Sequence, residues 1–376
     1  MAGIYLHIPF CKRRCIYCDF YSSTDSSRAP SYINALKTEL EARRDYLGNE
    51  RVETIYFGGG TPSQLDASDI GGLITHIRRT FDTSDMAEIT VEANPDDITS
   101  DYLSRLREAG ANRISIGVQS FDDKRLAFLR RRHDAAQACR AVEACYDNGF
   151  DNVSIDLIYG LPDESCDQWT NDLRQAVSLG VEHISAYHII YEDGTPLTDM
   201  LGRHEIRQTN EDESVRQFET MCDILSGAGY IHYEISNFCL PGRHSRHNTA
   251  YWQNKPYLGC GASAHSYNLA TRQWNVRDIT AYIDGVTHEG VYYEVEQLDT
   301  ATRYNEYVMV SLRTMWGADT HVIASRYGQE FADLFVKAAE KHISGGCLAV
   351  EGTIFRLTRH GILLSDGVIS DLMCVV

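Results

Sequence analysis

Two rhythms of apolar and polar positions take turns along the first half of the chain. Short apolar runs of strand length lie at Gly3–Ile8, Val52–Phe57, Glu88–Glu92, Arg113–Val118, Asn152–Tyr159 and His183–Tyr187. Between them the period lengthens to that of an amphipathic helix. Tyr32–Leu47 carries Ile33, Leu36, Leu40 and Leu47 on one side, and Ile70–Phe81, Ser100–Ala109, a stretch across Lys124–Asn148 and Gln168–Leu179 follow. Strands alternating with helices predict an α/β fold, a parallel sheet with right-handed helical crossovers. Six repeats instead of eight predict an incomplete (β/α)6 TIM-like barrel, open on one side and able to admit a large substrate.

The rhythm changes after Asn210. A long helix to Leu225 gives way to an aromatic and His-rich segment containing Tyr233–Phe238, His247-Asn-Thr-Ala-Tyr-Trp252 and Gly259–Tyr267. Beyond Asp299 the pattern predicts helices at Ala301–Leu312 and Glu330–His342, a hairpin at Leu348–Leu357 and a last helix near Asp366. Helices followed by a hairpin resemble a winged-helix module, a small α+β domain. The expected organisation is a barrel over 1–207, a barrel extension over 208–296 and the C-terminal domain over 297–376. The last helix has no concentrated Arg/Lys face, so a docking lid is expected there, not a DNA reader.

Composition narrows the function classes. A length of 376 residues accommodates such a barrel plus an appendage, and a net charge of −18 argues against nucleic acid as a partner. No apolar leader follows Met1, and no run of about 18 apolar residues suggests a membrane span. The expected location is the cytoplasm, where eleven cysteines stand for thiols or metal sites, not disulfides.

The chemistry gathers at the ends of the strands, the edge where parallel α/β folds build their sites. After the first strand comes Cys11-Lys-Arg-Arg-Cys15-Ile-Tyr-Cys18. Three soft donors in so short a loop suit zinc, copper(I) or an iron–sulfur cluster. Closed zinc sites usually draw on paired ligand clusters, which are absent. A four-iron cluster takes four cysteines, but the next is Cys139, so one iron would stay open to another ligand. After the second strand, Gly58-Gly-Gly60-Thr61 permits close backbone approach to a ligand, or else simply turns the chain. Glu92 lies on the third strand, Gln119 after the fourth and Asp156 on the fifth, with Arg131 between the last two. Carboxylates there suit ribose hydroxyls and the guanidinium suits a carboxylate, although each also serves in ordinary ion pairs.

CxxxCxxC with an aromatic residue before its third cysteine resembles the signature of the radical S-adenosylmethionine (SAM) superfamily. His7-Ile-Pro-Phe-Cys11, Phe57-Gly-Gly-Gly-Thr-Pro62, Gly117-Val-Gln-Ser-Phe121, Ile155–Pro162 and the HNTAYW run extend the resemblance to the oxygen-independent coproporphyrinogen III oxidase (HemN-like) family over nearly the whole chain. By that resemblance Cys11, Cys15 and Cys18 hold a [4Fe-4S] cluster. Tyr5, Tyr17, Gly59, Gly60, Thr61, Glu92, Gln119, Arg131 and Asp156 fall on SAM-binding positions, with Ile190 as the position on the sixth strand. Arg130 stands where the family pattern has Gly. The oxidases carry a further Cys where this chain has Phe20, and a long extension before the first strand. Both departures, and HNTAYW, resemble the heme-chaperone branch. That branch implies heme binding and delivery to apo-hemoprotein acceptors, membrane-associated ones included, with no catalytic residue assigned. His247 is the expected heme-iron ligand, with His265 a second candidate. The alternative is a true oxidase that decarboxylates coproporphyrinogen through a 5′-deoxyadenosyl radical.

Overall fold

A computed structural model describes residues 1–374. The first half consists of β1 (Ala2–Ile8), α1 (Ala29–Ala42), β2 (Val52–Gly59), α2 (Ala67–Thr80), β3 (Thr83–Ala93), α3 (Ser100–Glu108), β4 (Arg113–Gln119), α4 (Asp123–Phe128), α5 (Ala135–Asp147), β5 (Val153–Tyr159), α6 (Cys166–Ser178) and β6 (His183–His188). Strands β1 to β6 pair in chain order and all in parallel, the expected (β/α)6 architecture. The helices start where side chains can cap them. Asp66, Thr99, Asp122, Asp134 and Ser165 each accept a first-turn backbone N–H, and Ser165 with Gln168 forms a reciprocal capping box.

Each central strand has two distinct faces. Ile4, Leu6, Ile55, Phe57, Ile89, Val91, Ile114, Ile116, Ile155, Leu157 and Ile184 point outward into the core shared with the helices, where all are fully buried. Burial of each such side chain stabilises the fold by about 1.5–3 kcal/mol. The alternate positions point inward and are polar or aromatic: Tyr5, His7, Tyr56, Glu92, Ser115, Asp156 and Ser185. This strict period of two produces a barrel with a dry outside and a polar lumen.

The sheet does not stop at six strands. After α7 (Pro196–Gly202) and α8 (Glu211–Gly227), β7 (Ile231–Glu234) and β8 (Asn237–Cys239) form an antiparallel flank on β6. The HNTAYW run folds as the short helix α9 (Arg246–Trp252). β9 (Tyr257–Cys260) then lies parallel to β1, with Tyr5 opposite Gly259. β10 (His265–Tyr267), β11 (Thr271–Asn275), α10 (Ile279–Thr287) and β12 (Tyr293–Gln297) complete that flank, in the order β12-β11-β10-β9-β1 through β6-β8-β7. The segment that reads as irregular in sequence thus extends both edges of the barrel sheet.

The C-terminal part runs α11 (Thr300–Leu312), β13 (Ala318–Asp319), α12 (Thr320–Tyr327), α13 (Gln329–Ser344), β14 (Leu348–Glu351), β15 (Ile354–Leu357), α14 (Arg359–Leu363) and α15 (Ser365–Leu372). Helices backed by a three-stranded antiparallel sheet make the winged-helix-like arrangement, around a separate core that includes Val308, Ile323, Phe335 and Phe355. Helix α12 is an addition to the expected elements. Arg272–Glu306 and Arg359–Asp223, each 2.6 Å apart, tie this part to the barrel sheet and to α8. Among the described residues no helix is long and apolar enough to cross a membrane.

Candidate functional site

The cysteine loop leaves β1 and closes on itself before α1. Ser23 donates its backbone N–H to Pro9 O at 2.6 Å, and Cys11 N–H donates to Ser23 O at 2.9 Å. Between these anchors Ile16 plugs a small apolar cluster with Leu129, Ile158, Leu161 and Leu197, and its carbonyl accepts from Leu197 N–H at 3.0 Å. Lys12 reaches Asp97 at 2.8 Å, and Asp97 also accepts from Ser63 at 2.9 Å and Gln64 at 2.5 Å. The loops after β1, β2 and β3 are therefore fastened together, and the three thiols are held half-buried.

A chain of polar contacts runs from one cysteine to another. Cys11 Sγ lies 3.3 Å from Thr61 Oγ1, which accepts from Asn94 Nδ2 at 3.3 Å. Asn94 Oδ1 in turn accepts from Arg131 Nη2 at 2.5 Å, and Arg131 Nη1 donates to Cys15 Sγ at 3.3 Å. Arg131 also donates to Gly117 O at 2.5 Å, while its Nε is buried with no hydrogen-bond partner. The guanidinium thus brings its charge to the cysteine loop, and both of its amino groups are already engaged. Arg130 adopts φ 59°, the left-handed conformation that a glycine enters freely, which explains why Gly suits that position. Gln119 is also left-handed, at φ 72°, where the β4–β5 register shifts. Such strain persists where surrounding contacts over-determine it.

The glycines keep a cradle open. A Cβ on Gly58 would stand 2.9 Å from both the Tyr5 and Tyr56 rings and 3.1 Å from Glu92 Oε1. On Gly59, at φ 110°, it would stand 2.6 Å from the His7 ring, and on Gly60 3.1 Å from Cys11 Sγ. Below the cradle Tyr56 OH donates to Glu92 Oε1 at 2.7 Å. Burial pushes the Glu92 carboxyl up to about 7; the Tyr56 hydrogen bond opposes the shift and the Asp156 charge adds to it. Asp156 is raised too, chiefly by burial and against hydrogen bonds from Ser185 and Ser115. Arg113, buried at the start of β4, is a cation whose charge favours the ionised form of both carboxylates. In the sequence its only signal is a charge at the head of an apolar strand. Asn94 is likewise missed, although an Asn-Pro step directly after a strand marks a turn at the site edge.

Tyr5 stacks near Tyr56 in the lumen, and Tyr17 lies in the cysteine loop beside Arg131. Two expected residues are placed differently. Ile190 lies two residues past the end of β6 and is 64% exposed. His247 lies in the interior. Its ring is buried on α9, with Nδ1 2.7 Å from Thr54 Oγ1 and Nε2 2.8 Å from Tyr251 OH. Both nitrogens lie within hydrogen-bond distance of a hydroxyl.

The donor set fits an iron–sulfur cluster better than a single ion. A mononuclear zinc ion needs every sulfur about 2.3 Å from one point, whereas a cubane spreads its thiolates over separate irons. Burial raises Cys11 and pushes Cys18 up to about 11, so thiolates here call for a cation to share their charge.

Comparisons with known proteins agree with this geometry. The radical SAM superfamily pattern matches residues 5–176, and the HemN C-terminal domain matches residues 298–364. The heme chaperone HemW of Bacillus subtilis (strain 168) is 33% identical over 98% of this chain and 98% of its own length. This chain belongs to the HemW family. The HemW of Mycobacterium tuberculosis (strain H37Rv) is 35% identical over 99% of this chain and 94% of its own length. That of Escherichia coli (strain K12) is 37% identical over 70% of this chain and 69% of its own length. Among solved structures, E. coli coproporphyrinogen III oxidase (HemN) superposes with a TM-score of 0.86 over all of this chain and 90% of that one. At 23% identity that likeness establishes the shared fold and nothing finer. As a radical SAM protein, a HemW-family chain works with a [4Fe-4S] cluster and SAM.

Proposed function

We propose that this protein is a heme chaperone of the HemW type, which binds heme and hands it to apo-hemoproteins in the cytoplasm, including acceptors at the membrane face. The observation that carries the reading is likeness to named heme chaperones along nearly the whole of both chains. Phe20 supports it. Where the oxidases resembled by this sequence carry one more cysteine, a side chain with no ligating atom stands 64% exposed beside the cluster loop.

Cys11, Cys15 and Cys18 would hold the [4Fe-4S] cluster, which when bound supplies a low-potential electron next to SAM. The chain's own residues shape what surrounds it. Gly59 and Gly60 leave backbone exposed to the ligand, and Thr61 and Asn94 fix the cradle wall. Tyr5, Tyr17 and Gln119 would line the approach, and Ile190, exposed just past the end of β6, would stand at its rim. Glu92 and Asp156, two carboxylates in one lumen, suit the vicinal hydroxyls of a ribose, and Arg131 offers its positive charge and unpartnered Nε–H. No residue is assigned a catalytic role.

The test sets the chaperone against the oxidase. The reconstituted protein is incubated anaerobically with SAM, reductant and coproporphyrinogen III beside an authentic oxidase, and protoporphyrinogen is assayed. The expected result is no product while SAM and hemin both bind. Product at a rate comparable to the oxidase would overturn the chaperone reading.

A further inference from the structure

The twelve-stranded sheet ends at β12, which has a neighbouring strand on one side only. β11 and β12 pair antiparallel in unbroken register, from Thr271 opposite Gln297 to Asn275 opposite Tyr293. Val276 N–H donates to Tyr292 O at 2.8 Å at one end of this ladder, and Leu298 N–H donates to Ala270 O at 3.0 Å at the other. Hydrogen-bonded positions of an antiparallel pair recur at every second residue. The even-numbered positions of β12 therefore bond to β11, and Tyr293, Val295 and Gln297 turn their N–H and C=O groups outward. Those backbone groups have no hydrogen-bond partner among the described residues.

An exposed row of unpaired backbone groups is a template for one more strand, and proteins commonly blunt it with a proline, a bulge, a lysine or a covering loop. β12 reads Tyr-Glu-Val-Glu-Gln and contains none of the first three. Glu294 through Gln297 are all exposed, so no loop covers the edge either. Val295 is 48% exposed within the strand, and Val291 is 90% exposed just before it. Open β-branched side chains are what a pairing strand packs against.

Charge decides what can pair there. Side chains alternate along a strand, so Tyr293, Val295 and Gln297 share one face and Glu294 and Glu296 the other. Arg272, directly across from Glu296, is engaged by Glu306 at 2.6 Å. Neither Glu294 nor Glu296 forms an ion pair with a described residue. A second copy of the chain is a poor match for this edge. Two-fold antiparallel pairing centred on Val295 sets Glu294 against Glu296 of the copy. Centring on either glutamate sets that residue against itself. Like charges directly opposite destabilise a strand pair, whereas opposite charges contribute roughly 0.2–1 kcal/mol each.

We propose that the free edge of β12 docks an extended, cationic segment of a partner protein, which adds to the sheet as a further strand. Its backbone bonds to Tyr293, Val295 and Gln297, and its Lys or Arg side chains meet Glu294 and Glu296. In this mode main-chain hydrogen bonds give affinity and alternate side chains give specificity. The edge is separated from β1 and its cysteine loop by β9, β10 and β11, and the assignment does not depend on the heme-chaperone reading.

The test is fluorescence anisotropy of the full-length protein with a short labelled peptide in which Lys alternates with Val. The peptide is expected to bind, less tightly as salt rises. The same peptide N-methylated at its Val amides keeps the charge but loses the donors that face β12, and should bind about tenfold more weakly or worse. Glu294→Lys with Glu296→Lys should cause a similar loss, and should let a peptide with Glu in place of Lys bind instead. Val295→Pro removes an N–H that β11 does not use, so the urea midpoint should hold while peptide binding falls. No binding to wild type, or equal binding of the N-methylated peptide, would overturn the proposal. So would a wild-type dimer in sedimentation that Val295→Pro converts to monomer, because the occupant would then be a second copy.

Discussion

Glu92 is where ligand binding and fold stability pull in opposite directions. Its ordinary value is 4.5, and burial in the lumen pushes it up to about 7. Below about pH 4 the carboxyl is protonated in both folded and unfolded chains, so it places no burden on folding. As pH rises through 4.5 the unfolded chain releases this proton while the folded chain keeps it. The penalty therefore grows until pH passes 7 and is constant above that. At 1.36 kcal/mol per unit, the full penalty is at most about 3 kcal/mol. Glu92→Gln is neutral at every pH, and its amide oxygen still accepts from Tyr56 OH. The variant should match the wild type near pH 4.5 and exceed it by up to about 3 kcal/mol at pH 8. Urea unfolding of the cluster-free, reduced chain at the two pH values measures this. Glu164 and Glu234, both also pushed up to about 7, are the same in both proteins and cancel. SAM affinity should move the other way: an ionised carboxylate accepts from ribose hydroxyls, so wild-type binding strengthens from pH 6 to 8 and the variant's stays weak and flat. A stability gap that is equal at both pH values, or reversed, would refute the reasoning.

Arg130→Gly should stabilise the chain by about 1 kcal/mol, because it relieves a left-handed φ of 59°; the denaturation midpoint would show it, with SAM binding unchanged. Gly59→Ala forces a Cβ to within 2.6 Å of the His7 ring at φ 110°. It should abolish SAM binding by equilibrium dialysis while iron content stays near three-cysteine wild-type levels. His247→Ala strands the Thr54 and Tyr251 hydroxyls and should cost about 2–4 kcal/mol in urea unfolding. The hemin spectrum of that variant should match wild type, and a lost axial ligand would return His247 to the iron.

The barrel was legible because its signal is periodic: six apolar runs and five helical stretches, each long enough to average over exceptions. The strand residues were legible for the same reason, since knowing where β2 and β3 stop locates Gly59 and Glu92, and the alternation along β5 puts Asp156 between apolar neighbours. The flanking sheet was not. Its strands β7 to β12 are three to five residues long and include Gly259 and several polar positions, too short for a period to emerge. The packing of His247 was hidden by distance. Its local sequence suggests a ligand, but its partner Thr54 is 193 residues away and only the fold brings them together. Arg113 shows the same limit, because a charge that begins a strand reads as surface until the lumen is seen to be polar. Ile190 was placed by alignment to a sixth strand that in fact ends at His188. A cavity beside Phe20 draws on three separate segments, around Tyr5, Tyr251 and His265, and no single stretch of sequence announces it.

The most direct test of the central claim is heme transfer. The protein is loaded with hemin, freed of excess, and mixed with an apo-hemoprotein from the same organism, while a parallel sample is mixed with a passive heme scavenger. The account predicts that heme reaches the apo-hemoprotein faster than it leaks to the scavenger, at a rate that rises with acceptor concentration. Equal rates in the two samples, independent of acceptor concentration, would mean simple dissociation and would contradict a chaperone.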